Sequence, residues 1–375
     1  MYNELLIQRS KRIEESIKFA NPDQVPVVLY FDFYAARSLK VSTSRFVEDP
    51  ELKRNTVIQA FKKTGADGFM IGRLPTPFSF VSGGFPNRIM LPGRDLPENE
   101  MWQFLENKET ILWDDYSTIA NKGWKNFLPE LLPRFTEFQP YMLPRIVEKE
   151  QEQGKADVKA WQKEGIPLLC GGAATPPFEI LAAGRTMMRF YMDLKRYPQK
   201  VLAAMESMLP EIIEGALENA KIYGTPRIVI TGNRSCGGLI SLQDFETFAL
   251  PFLQKMVEEF VSQGMGVMLH LDSDWTPNLP YFKDFPRGCI LHTDGSTDIR
   301  EASRVLKGHF VIKGDVPAVL LSTAPVEQVK NYCRELLEDM GTEGFILSSG
   351  CDVPMDAQPA NVNALAEVAE EFCRE

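Results

Sequence analysis

The chain has 375 residues, 44% of them hydrophobic and 25% charged, with a formal net charge of −10 at pH 7. That acidic balance, with no basic stripe interleaved with aromatics, argues against nucleic acid as a partner. No apolar run is long enough to span a bilayer, and residues 1–20 are a charged amphipathic stretch without a signal-peptide core, so the reading is a soluble, cytoplasmic protein with no membrane partner.

In chain order, short apolar runs rich in β-formers occur at Val25–Phe31, Gly68–Ile71, Ile166–Leu169, Ile228–Thr231, Gly266–Leu271, Cys289–His292, Phe310–Lys313 and Phe345–Ser348. They lack polar alternation, which suits strands covered on both faces. Between them lie amphipathic stretches, clearest at Gln199–Tyr223, Ser241–Gln263 and Val326–Met340. Pro198, Pro325 and Pro359 stand where first turns begin, and Gly224, Gly264 and Gly341 where helices end. Repeated strand–helix units predict an α/β fold, a (β/α)₈ TIM barrel forming one domain over residues 1–375, with a doubly wound open sheet as the alternative. An insert at about 75–165, after the second strand, is too long for a simple connection. It holds a Gly/Pro-rich piece (Phe80–Pro86), an acidic aromatic piece (Trp113–Tyr116) and a charged helix (Val147–Glu164), and reads either as a lid or as a surface excursion.

The C-terminal ends of the runs carry Asp32, Arg73, Cys170, Asn233, His270 with Asp272, His292 with Asp294, Lys313 with Asp315, and Cys351 with Asp352. In a barrel these ends meet at one mouth, where such folds keep their chemistry. Within His270-Leu271-Asp272 a strand points residues i and i+2 to the same side. Imidazole, carboxylate and the Cys351 thiolate are competent zinc ligands, and three protein ligands leave the open position a catalytic zinc needs. A packed, hydrogen-bonded histidine and free cysteine are the alternative reading. The six cysteines lack the spacing of a disulfide framework, so reduced thiols are expected. Cys351 beside Asp352 is a poor bare nucleophile, because the neighbouring charge disfavours the thiolate. No dinucleotide fingerprint, phosphate loop or Gly-x-Ser-x-Gly elbow is present.

Several segments resemble the uroporphyrinogen decarboxylase superfamily of (β/α)₈ barrels, which includes corrinoid-linked methyltransferases. They are Ile240–Pro251, His292-Thr293-Asp294 with Ile299–Ala302, Ile312–Val316, Thr323–Val329, and Phe345–Pro354 followed by Pro359–Val362. The resemblance is strongest from about Arg227 onward. The decarboxylase pattern fails at three places: the first strand is followed by one arginine, Arg37; the second by Gly72-Arg73 rather than an acid; and the eighth by Cys351 rather than histidine. The methyltransferase branch implies zinc on His-x-Cys and a later Cys, and this chain has His270-x-Asp272 and Cys351. A carboxylate in place of a thiolate makes a harder Lewis acid, suited to oxygen.

The resemblance therefore implies methyl transfer from an O-methyl donor, a methoxylated aromatic being the favoured class, to a corrinoid. The cobalamin-binding Asp-x-His-x-x-Gly loop is absent, so the corrinoid is expected on a separate protein. Zinc is assigned to His270, Asp272 and Cys351, with Asp32 or another acid as a fourth ligand. Asn233, His292, Asp294 and Lys313 are expected to orient substrate or move protons, with capping or ion pairing as the structural alternative. Phe33, Tyr34, Phe80, Tyr116 and Cys170 are expected to contact a small-molecule donor, although core packing would account for the aromatics equally. A methylcorrinoid:thiol methyltransferase, a decarboxylase-like lyase and a noncatalytic corrinoid-handling barrel remain open. A homodimer is compatible with the sequence.

Overall fold

The computed structural model describes residues 2–77, 79 and 85–373. Its strands are β1 (Val28–Leu29), β2 (Gly68–Ile71), β3 (Arg88–Met90), β4 (Gln103–Leu105), β5 (Leu168–Cys170), β6 (Gly172–Ala174), β7 (Arg227–Gly232), β8 (Gly266–Leu271), β9 (Ile290–Thr293), β10 (Val311–Val316) and β11 (Phe345–Ser349). Parallel pairing runs β1–β2–β5 and, separately, β6–β7–β8–β9–β10–β11. Two links turn these sheets into a ring. β5 continues into β6 through Gly171, whose N–H donates to the Arg227 carbonyl at 3.0 Å, and Val27 bridges Leu347, whose N–H donates to the Pro26 carbonyl at 3.0 Å. The staves thus close as an eight-membered (β/α)₈ TIM barrel rather than a doubly wound sheet, which would leave two unpaired edges.

Three strands differ by more than a residue from the apolar runs that announced them, β10 by running on to Val316. The first shrinks to Val28–Leu29, and the third extends past Leu169 as two short pieces hinged at Gly171. A Cβ on Gly171 would run into the Thr225 side chain, so only glycine lets the chain step across there.

Helices cover the ring. Pro198 and Pro359 open the helices Pro198–Tyr223 and Pro359–Phe372, and Pro325 immediately precedes Val326–Met340. Gly224 ends its helix at φ +64°. The helix expected at Ser241–Gln263 is interrupted. It becomes a turn at Leu242–Asp244, a π-helical turn at Phe245–Ala249 and an α-helix at Leu250–Ser262, because Pro251 has no N–H to give to the preceding turn. No helix among the described residues is long and apolar enough to cross a membrane.

The barrel floor is sealed by the N-terminal helix Tyr2–Ile17. Ile13 joins an interior cluster with Val28, Met70, Leu169, Cys170, Val229, Met268, Ile290, Val311 and Ile346, so every stave contributes to one apolar layer. Ser16 Oγ donates to the Phe345 carbonyl at 2.7 Å, and Arg12 pairs with Asp67 at 2.5 Å and Asp23 at 2.8 Å.

Between β2 and β5 the insert forms the antiparallel hairpin β3–β4 and the helices Asp115–Lys122, Trp124–Leu131 and Leu143–Lys163. The charged helix is four residues longer at its start than its sequence pattern indicated, and three-residue strands carry too little alternation to announce the hairpin. Phe80 lies outside the described residues. Trp161, on the last of these helices, is wholly buried, stacks on Phe69 with ring centroids 4.4 Å apart, and donates its indole N–H to the Gly72 carbonyl at 3.0 Å. Trp161→Ala is therefore expected to cost about 3–5 kcal/mol, read as a lower urea midpoint at nearly unchanged slope. A midpoint equal to the parent's would show that this helix adds nothing to the barrel's stability.

Candidate metal centre

Two residues beyond the apolar layer, on the same strand faces, the barrel interior turns polar. Register makes Thr231, His270, His292 and Lys313 successive cross-strand neighbours on β7, β8, β9 and β10. Lys313 Nζ lies 3.0 Å from His292 Nε2 and donates to Ser348 Oγ at 2.7 Å, and that hydroxyl donates to the Val28 carbonyl at 2.7 Å. His292 Nε2 is also 3.0 Å from the Ser349 carbonyl, and the His270 and His292 rings lie 4.5 Å apart. Burial lowers Lys313 to about 7. Burial, then the Lys313 charge, lowers His270 to about 3 and moves His292 well below its ordinary value. Both imidazoles are neutral at pH 7, the form that binds metals.

At the mouth side of this layer His270 meets Asp272 and Cys351, with their ligand atoms all within 4.8 Å of one another. Cys351 Sγ is 3.4 Å from His270 Nε2 and 3.9 Å from Asp272 Oδ2, and His270 Nε2 is 3.6 Å from Asp272 Oδ1. Zinc bonds of about 2.0–2.3 Å in a tetrahedron separate the ligand atoms by about 3.5 Å, so the three edges suit one small cation. Electrostatics agree with that fit. Burial, then Asp294, raises Asp272 to about 6, and burial, then Asp272 and Asp352, pushes the Cys351 thiol up. Buried Asp272 Oδ1 and His270 Nδ1 have no hydrogen-bond partner. A divalent cation would relieve the two anionic ligands together. Asp32 is not the fourth member: Lys53 Nζ holds its two oxygens at 2.7 and 2.9 Å.

The other expected residues divide. His292 and Lys313 share a cross-strand row with His270, the innermost member of the triad. Asn233, half-buried at the end of β7, accepts from Arg234 through Oδ1 at 2.6 Å. Asp294 clamps two loops, accepting from the Ser273 N–H at 2.9 Å and the Ser296 N–H at 2.8 Å, so its oxygens serve the capping alternative. Cys170 sits in the apolar layer below the polar one, and Tyr116 is buried in the insert with its hydroxyl on Asp193 at 3.0 Å; neither is presented at the mouth. Phe33 is core, packed on Phe46 and Trp102 around the Lys53 ammonium, and Tyr34 packs on Phe31 at 5.2 Å.

Sequence reasoning missed one supporting acid, Glu179, and left the burial of another, Asp352, unseen. Glu179, in the first turn of the helix Pro177–Arg185, is wholly buried and accepts the backbone N–H groups of Arg234 (2.9 Å) and Ser235 (3.1 Å) and the Ser235 hydroxyl (2.7 Å), so it holds the loop that carries Asn233. Its position after two prolines reads as an ordinary acidic first turn, and nothing local announces its burial. Asp352 is pushed well up by burial and by nearby Asp32, and its Oδ1 has no hydrogen-bond partner.

Lys313 leads to a pH prediction. Below about 7 the buried ammonium is a full penalty on the folded state; between about 7 and 10.5 the unfolded chain keeps a proton that the folded chain has released, so stability rises with pH. Lys313→Met is expected to flatten that rise in urea midpoints taken from pH 7 to pH 9. A variant with the parent's slope would show that another group carries the dependence.

The family model described as uroporphyrinogen decarboxylase (URO-D) matches residues 160–372, more than half of the chain. A uroporphyrinogen decarboxylase of Trichodesmium erythraeum is 27% identical over 180 residues, 46% of this chain and 50% of that protein. The methylcobamide:CoM methyltransferase MtbA of Methanosarcina acetivorans is 25% identical over 150 residues, 40% of this chain and 43% of its own. The chain thus spans about half the length, or less, of the curated relatives it matches. A solved structure, a methyltransferase from Methanosarcina mazei, superposes with a TM-score of 0.72 at 18% identity, covering 97% of this chain and 98% of that one, which establishes a shared fold. A closed barrel built on this register, with the family match running from just before its third stave through its last helix, makes the chain a member of the uroporphyrinogen decarboxylase (URO-D) family.

Proposed function

We propose that this protein is a methyltransferase that moves a methyl group from an O-methyl donor, of the methoxylated aromatic class, to the cobalt of a corrinoid carried by a separate protein. The observation that carries the reading is the convergence of His270, Asp272 and Cys351 at the barrel mouth. The methyltransferase named among the relatives points to the same reaction class, and the histidine of the decarboxylase pattern is replaced here by Cys351.

Zinc held by these three residues would supply a Lewis acid at the donor oxygen, and the Asp272 carboxylate makes it a harder acid than a second thiolate would. The rest is the work of this chain's residues. His270 is kept neutral by burial and by the Lys313 charge, so its Nε2 lone pair is available toward Asp272 and Cys351. Lys313 Nζ, lowered to about 7, keeps an exchangeable proton against His292 in the same layer as His270. Glu179 fixes the loop that presents Asn233, whose Oδ1 is engaged by Arg234, so the amide nitrogen is the end left to orient a donor. The apolar layer and the N-terminal helix close the opposite end, which confines substrate entry to the mouth.

Metal analysis of the purified protein beside His270→Ala and Cys351→Ala, with a methoxyarene and cob(I)alamin as reactants, tests this. The parent should hold about one zinc per chain and consume cob(I)alamin; each variant should lose the metal and at least about 100-fold of the rate. A parent that transfers methyl without stoichiometric metal would remove the zinc assignment. Transfer only to or from a thiol, with metal bound, would favour the thiol methyltransferase instead.

A further inference from the structure

The insert holds a second concavity, to which none of the three converging ligands contributes. A pocket of about 470 Å³ opens between the helix Thr43–Glu48, the hairpin β3–β4 and the chain at residues 133–138, within the range of about 300–1,000 Å³ usual for small-molecule sites. Ile89, Leu105 and Phe135 give it apolar walls. Four cations, Arg88, Arg94, Lys108 and Arg134, line it against two acids, Glu48 and Glu137. Some of that charge is already spent. Arg134 grips Asp115 through both terminal nitrogens, and Arg88 and Arg94 share Asp95 at 3.1 Å each. Lys108 is exposed and has no ion-pair or hydrogen-bond partner among the described residues.

A second polar group is unsatisfied in the same wall. Asn87 is 1% exposed and donates from Nδ2 to the Ala183 carbonyl at 3.4 Å, while its Oδ1 has no hydrogen-bond partner. A buried acceptor left alone is unfavourable, and a donor brought by a ligand would remove that cost. The pocket therefore combines an apolar body, one unpaired ammonium at Lys108 and an acceptor in want of a donor.

We propose that it binds a small carboxylate with an apolar ring and one hydroxyl: the carboxylate meets Lys108, the ring lies against Ile89, Leu105 and Phe135, and the hydroxyl donates to Asn87 Oδ1. The site has a direct connection to the barrel mouth. Glu106, between Leu105 and Lys108 in the chain, pairs with Arg234 at 2.6 Å, next to Asn233. Occupancy would steady the hairpin that makes this contact.

Calorimetric titration of the full chain with 4-hydroxybenzoate, benzoate and phenol tests the assignment. 4-Hydroxybenzoate should bind saturably and about tenfold more tightly than either analogue, each of which lacks one polar contact. Lys108→Met should erase the advantage over phenol while leaving phenol binding unchanged. His270→Ala should bind 4-hydroxybenzoate as the parent does, which separates this pocket from the mouth and from the fate of the methyl-transfer reading. Absence of saturable binding, equal affinity for phenol, an unchanged Lys108→Met, or loss of binding in His270→Ala would each overturn the proposal.

Discussion

Cross-strand register between β7 and β10 is the constraint on which the candidate site depends. Thr231 opposite His270, His270 opposite His292, and His292 opposite Lys313 form one row around the barrel. Strand period then dictates what lies above and below: two residues back along each stave is apolar, and two residues forward brings Asn233, Asp272 and Asp294 to the mouth. A slip of one residue in β8 would turn His270 and Asp272 outward together and leave Cys351 without partners. Barrel closure locks that register, since no stave can shift without breaking ladders on both of its sides.

The polar layer is costly, and its cost explains its chemistry. A lysine and two histidines buried inside the barrel are stable only in forms that carry little charge, which is why burial moves Lys313 to about 7 and His270 to about 3. Two of the three also have fixed partners: Ser348 and His292 for Lys313, Ser349 for His292. Asp272 and Cys351 are less well provided, since burial and neighbouring carboxylates, Asp294 for Asp272 and Asp272 with Asp352 for Cys351, disfavour their anionic forms and Asp272 Oδ1 has no hydrogen bond. Such an arrangement is poorly suited to a purely structural role and well suited to a cation.

Barrel and insert divide the work. The barrel supplies short, register-locked side chains that converge at one point. The insert is tied to the barrel by Trp161 on Gly72, by Arg54 on Asp157 at 2.8 Å and by Glu106 on Arg234. Of the aromatics that the sequence offered as substrate contacts, Phe33 is instead spent on this attachment. Phe33 and Trp102 enclose Lys53, whose ammonium neutralises Asp32 in the core.

Eight apolar runs, helix-opening prolines and terminal glycines were enough to declare the barrel, because strand burial and helix capping are local properties written in consecutive residues. The triad was legible for the same reason: His270 and Asp272 share a strand face by period alone, and Cys351 ends the last apolar run. Residues whose role depends on contacts distant in the chain were not legible. Glu179 looks like an ordinary first-turn acid until Arg234 and Ser235 are laid over it, Asp294 looks free until Ser273 reaches it, and Lys53 looks solvated until Asp32 and three rings close around it. Sequence by itself determined the fold class and which side chains can face the mouth. Only tertiary structure decided which of them are already satisfied, because burial and hydrogen bonding arise from segments that meet after the ring has closed.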